Sequence, residues 1–349
     1  MIAALKARIV DPFGDSEWDD LVSSHPDSTI FHTATWAKVL TTSFGHGPVY
    51  LEFTRASTLS ALLPVMEVSS YLTGRRGVCL PFSGYCNPLI FEGGDISPIL
   101  DTLSSLSRQR KWKYFELRCG GNSLHPVAPA VVTLRGHNLD LRSGIEAVFS
   151  RFASSVRRAI RKAERSGLNI SLVSNREAVL KFHSLQSVTR KRLGLPPLPL
   201  SYFLRVYDGI IEPGLGFVVL AEKDAHPVAG AIFFSYGKKA LYKFAASDKT
   251  FQDLRPNNLV MWEGIKSLVG RGAETLHLGT TSMEGEGLRR FKLSWGSEEE
   301  IIRRFRFDLA KGTWSTPRQC GSGFHKRIFG ALPSGLNRIA GAMLYRHLD

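Results

Sequence analysis

The chain has 349 residues, of which 43% are hydrophobic and 22% are charged. That length and apolar content suffice for two ordinary domains, and they exclude a wholly disordered chain or a coiled coil. Lys and Arg number 45 against 31 Asp and Glu, and the formal net charge of +14 predicts an anionic partner: a nucleic acid, a nucleotide phosphate or an acidic membrane surface.

In the first half of the chain, short apolar runs alternate with polar turns, which is typical of antiparallel strands. The predicted elements are the strands Pro48–Phe53 and Leu59–Val68, a turn at Gly74–Gly77, the strand Val78–Phe82, a helix from about Ile96 to Arg110 and the strand Tyr114–Arg118.

A helix-forming basic run, Arg151 to Arg165, begins the second half. Helical spacing puts Arg158, Arg161, Lys162 and Arg165 on one face, which would suit the phosphates of a donor. A solvated helix flank is the alternative, because runs of charge usually are one.

The same order of elements then appears a second time. The predicted elements are the strands Gly216–Glu222, Val228–Tyr236 and Ala240–Ala246, the helix Asn257–Val269 and the strand Thr275–Leu278. Tight connections between successive strands favour a mixed, largely antiparallel sheet over a doubly wound one. We therefore expect an α/β (α+β) fold with two tandem domains, each a sheet flanked by helices, at residues 1–140 and 141–312.

Residues 313–349 form a basic tail with a single acid, Asp349. Apolar residues recur there at helical spacing, at Ile328, Leu332, Leu336, Ile339 and Met343. The pattern predicts two short amphipathic helices, interrupted at Pro333 and Gly335, which either dock on the body of the protein or lie against an anionic membrane.

The four cysteines, Cys79, Cys86, Cys119 and Cys320, include no C-x-x-C pair, and no histidines have the spacing of metal ligands. We therefore expect no metal site. The N-terminus lacks the apolar core of a signal peptide, and no run reaches the roughly 18 apolar residues of a membrane span. A reducing cytoplasm fits these features, with a peripheral position at the inner membrane as an option.

Several short motifs occur in an order that matches a known family. In the first half they are Ser28-Thr-Ile-Phe-His-Thr-Ala-Thr-Trp36-Ala-Lys38, Leu63-Pro-Val65 and Leu80-Pro-Phe-Ser-Gly-Tyr85. In the second half they are the run from Ser155 to Gly167, Thr189-Arg-Lys-Arg-Leu-Gly194, Pro256-Asn-Asn258, Leu276-His-Leu-Gly279 and Phe291-Lys-Leu-Ser-Trp-Gly296. This ordered set resembles the FemAB-like, peptidoglycan bridge-forming branch of the GNAT acyltransferase superfamily.

The resemblance implies two GNAT-like domains and the transfer of an acyl or aminoacyl group to an amine of a cell-envelope precursor. Characterised relatives use aminoacyl-tRNA as the donor and a peptidoglycan precursor as the acceptor. Two alternatives stay open: an acyl-CoA-dependent N-acyltransferase acting on amino sugars of an exopolysaccharide, and a non-catalytic member that binds an anionic glycan or RNA. The acceptor is expected to be an anionic small molecule or a lipid-linked precursor, and DNA is not expected as a partner.

Lys292 is the candidate catalytic residue. Phe291 and Trp295 flank it, and an ammonium at this position could pair with a donor phosphate or a developing oxyanion. By itself the pattern more often describes a surface lysine beside two core aromatics. The match to the family element F-K-x-x-[WF]-G is what favours a chemical role.

The resemblance also suggests substrate-binding residues. Lys38 and Trp36 are a cation and an aromatic wall for a uridine or sugar-phosphate group, although tryptophan more often fills a core. Arg190 and Arg192 match a family position associated with a nucleotide-linked acceptor. Tyr85 and Tyr242 are predicted to line a substrate cleft formed by or between the two domains. The alternative for both is a buried tyrosine in a core.

The donor stays undecided, and no tightly bound cofactor is expected. Acyl-CoA-using GNAT enzymes hold the pyrophosphate with a glycine-containing loop, whereas the corresponding stretch here, Phe251 to Asn258, has no glycine. Arg255 and the following helix N-terminus could still attract an anion. The segment that forms a helical arm in some tRNA-using relatives is short here and interrupted by prolines, so a tRNA partner is an option without support from this feature.

Overall fold

The computed structural model describes residues 5–91, 96–120, 128–317 and 329–348. The chain divides into two compact units. Unit 1 comprises Met1–Leu134, Ile301–Gln319 and Arg346–Asp349, and unit 2 comprises Arg135–Glu300 and Cys320–Tyr345. No helix of the described ranges is both long enough and apolar enough to cross a membrane.

The strands and helices are numbered in chain order. The strands are β1 Leu5–Val10, β2 Gly47–Arg55, β3 Thr58–Ser70, β4 Gly74–Val78, β5 Leu89–Ile90, β6 Tyr114–Gly120, β7 Val132–Asp140, β8 Asn169–Val173, β9 Gly216–Lys223, β10 His226–Tyr236, β11 Lys239–Ser247, β12 Thr275–His277, β13 Thr281–Ser282, β14 Glu298–Asp308 and β15 Thr313–Trp314. The helices are α1 Trp18–Ser23, α2 Ala34–Phe44, α3 Ile96–Gln109, α4 Ile145–Arg151, α5 Ser154–Glu164, α6 Arg176–Arg192, α7 Leu200–Val206, α8 Pro256–Gly270, α9 Glu286–Leu293 and α10 Ser334–Leu344.

The sheets of the two units repeat one arrangement. In unit 1 the strand order is β1-β2-β3-β4-β6-β14, with the pair β4 and β6 parallel and the other neighbours antiparallel. In unit 2 the order is β7-β12-β11-β10-β9-β8, with β11 and β12 parallel and the others antiparallel. In each unit a helix, α3 or α8, connects the two parallel strands, since a parallel pair needs a crossover. The predicted repeat and fold class are confirmed.

One predicted element of unit 1 is displaced. The extended segment is Gly74–Val78, where the sequence predicted a turn, and the predicted strand Val78–Phe82 leaves the sheet after its first residue. Leu80 and Phe82 have positive φ angles of 49° and 59°, which an extended strand does not allow. Gly77 belongs to the strand because the ring of Trp112 occupies the space where its Cβ would lie.

The division of the chain also differs from the prediction. The boundary falls between residues 134 and 135 rather than near 140, and Ile301–Gln319 belongs to unit 1. The reason is strand pairing: residues 302–308 of β14 hydrogen-bond along the whole of β6, so the chain returns to the first sheet before the tail helix α10, which belongs to unit 2. The tail is not a separate domain, because its described helix α10 belongs to unit 2.

The core of unit 2 lies where its helices cover the sheet. Val156 and Ile160 on α5 and Val260 and Ile265 on α8 join one cluster of buried apolar side chains. Trp295, which is fully buried, extends this cluster, with its ring 5.0 Å from that of Phe152. The same helix α5 therefore turns its basic residues outwards, since its apolar face is occupied by packing.

Candidate active site

A cleft forms in unit 2 where two parallel strands separate. The pairing of β11 with β12 covers three residue pairs, from Lys239 opposite Thr275 to Leu241 opposite His277. Immediately after this point β11 contains a bulge at Lys243, because Ile232 pairs with Phe244 and Phe233 with Tyr242. A bulge bends a strand and changes where its side chains point. The remaining part of β11 is thus free of β12 and forms one wall of an opening.

A cavity of about 330 Å³ lies beside this part of β11. It is lined by Thr189, Tyr242, Ala245, Ala246, Ser247, Gln252, Arg255, Pro256, Asn257, Asn258 and Phe291. The N-terminus of α8 is part of the wall, with Pro256 in the first helical turn. Because the first N–H groups of a helix lack intrahelical partners, this wall favours an anionic group of a ligand.

Arg255 precedes α8 in an unusual backbone conformation. Its φ and ψ angles of 59° and 37° lie in the left-handed region, which is uncommon for residues other than glycine. Such strain of about 1 to 3 kcal/mol is found preferentially at functional sites. The loop before it, Lys249–Leu254, is a short 3-10 helix. The chain thus reaches the N-terminus of α8 without the glycines of a CoA-binding loop.

Polar side chains that the sequence analysis did not single out hold the cavity wall together. The Thr189 hydroxyl on α6 donates to the Ser247 carbonyl at 3.0 Å and accepts from the Ser247 N–H at 2.9 Å. The Asn257 amide donates to the Ser247 hydroxyl at 3.1 Å. Together these bonds join α6, the end of β11 and the start of α8. Thr189 and Asn257 both lie in motifs shared with the family, which was the available signal.

Lys292 directly follows the lining residue Phe291 in sequence and is not itself among the lining residues. Its side chain on α9 is 5% exposed, and Nζ donates to the carbonyls of Gly279 at 2.9 Å and Thr280 at 3.0 Å. Burial disfavours the charged form and lowers the pKa of Lys292 to about 8. An ammonium has three N–H donors, so these two backbone acceptors leave one donor for a further partner.

His277 holds the turn that provides those carbonyls. Its Nδ1 accepts the Gly279 N–H at 3.1 Å, and its Nε2 lies 3.8 Å from Oε1 of Glu300. Since Nδ1 accepts, the ring proton is assigned to Nε2. Gly279 itself has a φ of 78°, a conformation that L side chains rarely adopt. His277 therefore fixes the position of the Gly279 carbonyl, and through it that of the Lys292 ammonium.

A second buried histidine lies near this arrangement. His137 is fully buried, with Nδ1 3.9 Å from Oε1 of Glu299. Burial, together with the charge of Lys292, lowers the pKa of His137 to about 4 and that of His277 to about 3. Both rings are consequently neutral near pH 7, so Lys292 does not compete with a second buried cation. The motif Leu276-His-Leu-Gly279 contains His277 but does not by itself indicate its role, and no sequence motif marks His137.

Two of the predicted site residues are brought together by this cavity. Tyr242 and Arg255 both line it, and burial raises the pKa of the Tyr242 hydroxyl. Arg158, Arg161 and Lys162 lie on the exposed side of α5 and are not among the lining residues. Their predicted contact with donor phosphates stays a prediction.

Arg190 has structural contacts that the sequence did not indicate. Its Nε donates to the Pro196 carbonyl at 3.2 Å, and its guanidinium also donates to the hydroxyl of Tyr345. Arg192, two residues later, is exposed and lines a different cavity, beside Lys191. The structure therefore does not place these two arginines in one binding site, and their role in acceptor binding stays a prediction.

The predicted binding residues of unit 1 differ in exposure. Trp36 is fully buried, with its ring 5.0 Å from Phe31, so the structure corrects its prediction as an aromatic wall for a ligand. The reason is its position on the inner face of α2, which also buries Val39 and Leu40. Lys38 is exposed on the opposite face, and Tyr85 is half-buried. For these two residues substrate binding stays a prediction.

Metal-ligating side chains are not gathered at this site. In ranges 5–91, 96–120, 128–317 and 329–348, no group of three or more His, Cys, Asp or Glu residues could hold a metal ion. Cys79, Cys86 and Cys119 are buried and unpaired by disulfides, and Cys320 lies outside the described residues.

Sequence comparison identifies the domain that contains this cavity. A family model for an acetyltransferase (GNAT) domain matches residues 150–294. The chain is also 22% identical, over 222 residues, to a lipid II:glycine glycyltransferase of Staphylococcus haemolyticus (strain JCSC1435). That match covers 44% of this chain and 53% of the relative, so the chain spans about half the length of the curated protein it matches.

Solved structures share the two-unit fold. The crystal structure of FemX matches 85% of this chain and 96% of its own chain, with a TM-score of 0.68 and 16% identity. A tandem GNAT protein from the clavulanic acid biosynthesis pathway matches 88% of this chain and 99% of its own, with a TM-score of 0.59 and 10% identity. These likenesses show the tandem GNAT fold, and with the matched domain they support the predicted resemblance to the FemAB-like branch of the GNAT superfamily.

Proposed function

We propose that this protein is an acyltransferase that moves an acyl or aminoacyl group onto an amine of a peptidoglycan precursor. The observation that carries the proposal is the buried Lys292 ammonium, held by the Gly279 and Thr280 carbonyls and next in sequence to Phe291, which lines the cavity at the end of β11. A positive group that is already in place where negative charge develops stabilises the transition state of acyl transfer.

The reaction needs no covalent enzyme intermediate. The lone pair of a neutral acceptor amine attacks the carbonyl carbon of the donor, and the carbonyl oxygen becomes an oxyanion that the remaining Lys292 N–H can bind. The oxyanion then returns to a carbonyl as the bond from carbon to the leaving ester oxygen or thioester sulfur breaks. A proton of the attacking amine ends on that leaving atom, so the products are an amide and a free hydroxyl or thiol. Holding donor and acceptor together in one site supplies much of the rate enhancement in such a direct transfer.

The lipid II:glycine glycyltransferase relative supports a peptidoglycan precursor as the acceptor. An anionic or lipid-linked precursor also agrees with the net charge of +14. Three more specific proposals are not needed for this function. They are a tRNA partner, a peripheral contact with an anionic membrane and an exopolysaccharide acceptor.

The donor is proposed to be an aminoacyl ester or an acyl thioester. The N-terminus of α8 and Arg255 in the cavity wall suit a donor phosphate of either kind. The glycine-free approach to α8 through the 3-10 helix Lys249–Leu254 argues against the usual binding of a CoA pyrophosphate. Aminoacyl-tRNA is therefore the donor to test first, with acetyl-CoA as its competitor.

Transfer to a soluble precursor tests this proposal directly. The purified full chain is incubated with UDP-N-acetylmuramoyl-pentapeptide and either radiolabelled glycyl-tRNA or acetyl-CoA, and labelled amide product is separated by chromatography. We expect product with an aminoacyl-tRNA donor. Product with acetyl-CoA and an amino sugar alone would instead favour the N-acyltransferase alternative. Saturable binding without turnover, unchanged by substitution of Lys292, would favour the non-catalytic alternative.

The pH dependence of transfer should report the ionisation of Lys292. With a pKa of about 8, Lys292 loses its proton as pH rises through that value, and the oxyanion then loses its cation. Lys292→Arg keeps its charge throughout this range, because the guanidinium pKa lies above about 12. We expect the ratio of wild-type to Lys292→Arg kcat/KM to be constant below about pH 7 and to fall up to tenfold per pH unit well above 8.

The ratio also removes the titration of the acceptor amine, which affects both enzymes equally. Parallel pH profiles for the two enzymes would contradict a role for the Lys292 charge.

A further inference from the structure

The tail helix α10 docks on unit 2 with its less hydrophobic face. Asn337 and Tyr345 are buried, and Gly341 lies so close to the Pro197 carbonyl that a Cβ would clash with it. These three positions recur every four residues and therefore share one face. The Tyr345 hydroxyl, just past the end of α10, donates to the Pro196 carbonyl at 3.0 Å, which anchors this face.

The large apolar side chains of α10 point to solvent instead. Leu336, Ile339 and Met343, spaced by three and four residues, are 55%, 58% and 65% exposed. The sequence predicted that these residues would either dock on the body or lie against a membrane, and the observed docking uses the other face. Exposing a continuous apolar stripe costs free energy in water, roughly 25 cal/mol for each Å². A stripe of this kind is typical of a surface that a partner covers.

Cations lie on the side of α10 that faces α6. A cavity of about 600 Å³ between α6 and α10 has Lys191, Arg192 and Arg338 in its lining. Arg192 and Arg338 are both exposed. The last 39 residues contain six Lys or Arg and one acid, Asp349, so the formal net charge of this region is positive. A partner with an apolar interior and a negatively charged surface would complement both the apolar stripe and these cations.

We infer that α10 is a membrane-docking element that lies in the plane of an anionic phospholipid bilayer. Leu336, Ile339 and Met343 would enter the boundary between headgroups and acyl chains, while Arg192 and Arg338 meet lipid phosphates. An amphipathic helix with an apolar stripe and flanking cations binds anionic lipid by apolar burial and electrostatic attraction together. This surface is separate from Lys292, so the inference does not depend on the proposed acyl transfer.

A vesicle sedimentation assay with the full chain tests the inference. The probes are large vesicles of phosphatidylcholine alone and of phosphatidylcholine with about one third phosphatidylglycerol. We expect the wild-type chain to pellet with the anionic vesicles, to pellet at least about tenfold less with neutral ones, and to be released as the salt concentration rises. Equal binding to both vesicle types would overturn the electrostatic part of the inference, and no binding to either would overturn it entirely.

Matched variants identify the surface. Leu336→Gln/Ile339→Gln should weaken binding to anionic vesicles at least about tenfold, because it removes two large apolar groups from the stripe. Ile9→Gln/Leu172→Gln is the control, since Ile9 and Leu172 are 49% and 41% exposed elsewhere on the chain. Equal losses in both variants would contradict the assignment to α10.

The charge can be tested separately from the apolar stripe. Arg192→Gln/Arg338→Gln should weaken binding at low salt by about tenfold and make it less sensitive to salt. Thermal unfolding by circular dichroism verifies that each variant is folded. If the wild-type chain is a dimer in analytical ultracentrifugation and Leu336→Gln/Ile339→Gln is a monomer, the stripe is an interface between two copies and the inference is wrong.

Discussion

Lys292→Met is expected to reduce the rate of transfer by at least about 100-fold, the loss typical of removing one oxyanion-stabilising donor. Methionine resembles lysine in length but provides neither a charge nor an N–H. The donor carbonyl would then develop its negative charge without the cation held by Gly279 and Thr280. The measurement is kcat and KM with UDP-N-acetylmuramoyl-pentapeptide as acceptor. The loss should appear mainly in kcat, because the interaction is strongest in the transition state.

Unfolding measurements should show that the reduced transfer rate of Lys292→Met does not come from a loss of folded protein. The pKa of Lys292 is lowered because the folded protein disfavours the ammonium form relative to the unfolded chain. Between pH values of about 8 and the ordinary pKa of lysine, the unfolded chain therefore binds more protons than the folded protein, and the contribution of Lys292 to stability increases as pH rises. Lys292→Met removes that unfavourable charge, and its midpoint of urea unfolding at pH 7 should not fall. Lys266→Met, on the partly exposed surface of α8, is the control and should retain activity. Wild-type activity in Lys292→Met would exclude the proposed role.

Trp295→Ala is expected to lower the free energy of unfolding by about 3 to 5 kcal/mol, the range for truncation of a large buried aromatic side chain. Trp295 is fully buried, with its ring 5.0 Å from Phe152 and 6.1 Å from Phe291. The space left by the removed ring would lie between Phe152 and α9, the helix that carries Lys292. Equilibrium urea unfolding, followed by fluorescence and circular dichroism, measures the change.

Two variants separate packing from other effects of Trp295→Ala. Trp295→Phe keeps an aromatic ring and should recover a large part of the lost stability. Leu288→Ala, at a half-exposed position on the same helix α9, should change stability by less than about 0.5 kcal/mol. A Trp295→Ala protein as stable as the wild type would show that the ring does not support the core.

One short motif thus combines two physical roles. In Phe291-Lys-Leu-Ser-Trp-Gly296 the lysine is held by backbone carbonyls and is the residue proposed to bind the oxyanion, and the tryptophan packs in the core. We expect Lys292 variants to change turnover without loss of stability, and Trp295 variants to change stability first. Lys292 lies in the last turn of α9 and Trp295 follows two residues after that helix ends, a difference that the motif read from sequence does not report.

The sequence by itself determined the elements and their repetition. Alternating apolar runs, tight turns and one helix in each half predicted β2, β3, α3 and β6, then β9, β10, β11, α8 and β12, because these signals are local. Local signals mispredicted the strand Gly74–Val78 as a turn. Two glycines suggested a turn, whereas Trp112, distant in sequence, requires the absence of a side chain at Gly77.

Lys292 could be proposed from its motif, but its chemical setting depends on the tertiary structure. Lys292 on α9 donates hydrogen bonds to the carbonyls of Gly279 and Thr280. His277, which accepts the Gly279 N–H, belongs to the strand β12. The pKa values of Lys292, His137 and His277 are lowered by burial, which no single stretch of sequence reports. Thr189 was overlooked for the same reason, since its partner Ser247 is 58 residues away.

The orientation of a helix is likewise decided by what it packs against. Helical spacing predicted that α10 has two different faces, yet the usual expectation that the apolar face docks did not hold. The close approach of Gly341 to Pro197 and the bonds of Tyr345 selected the other face. On α2, packing instead buried Trp36 and left Lys38 exposed. Local sequence determines which faces exist, and only long-range packing determines which of them meets the protein.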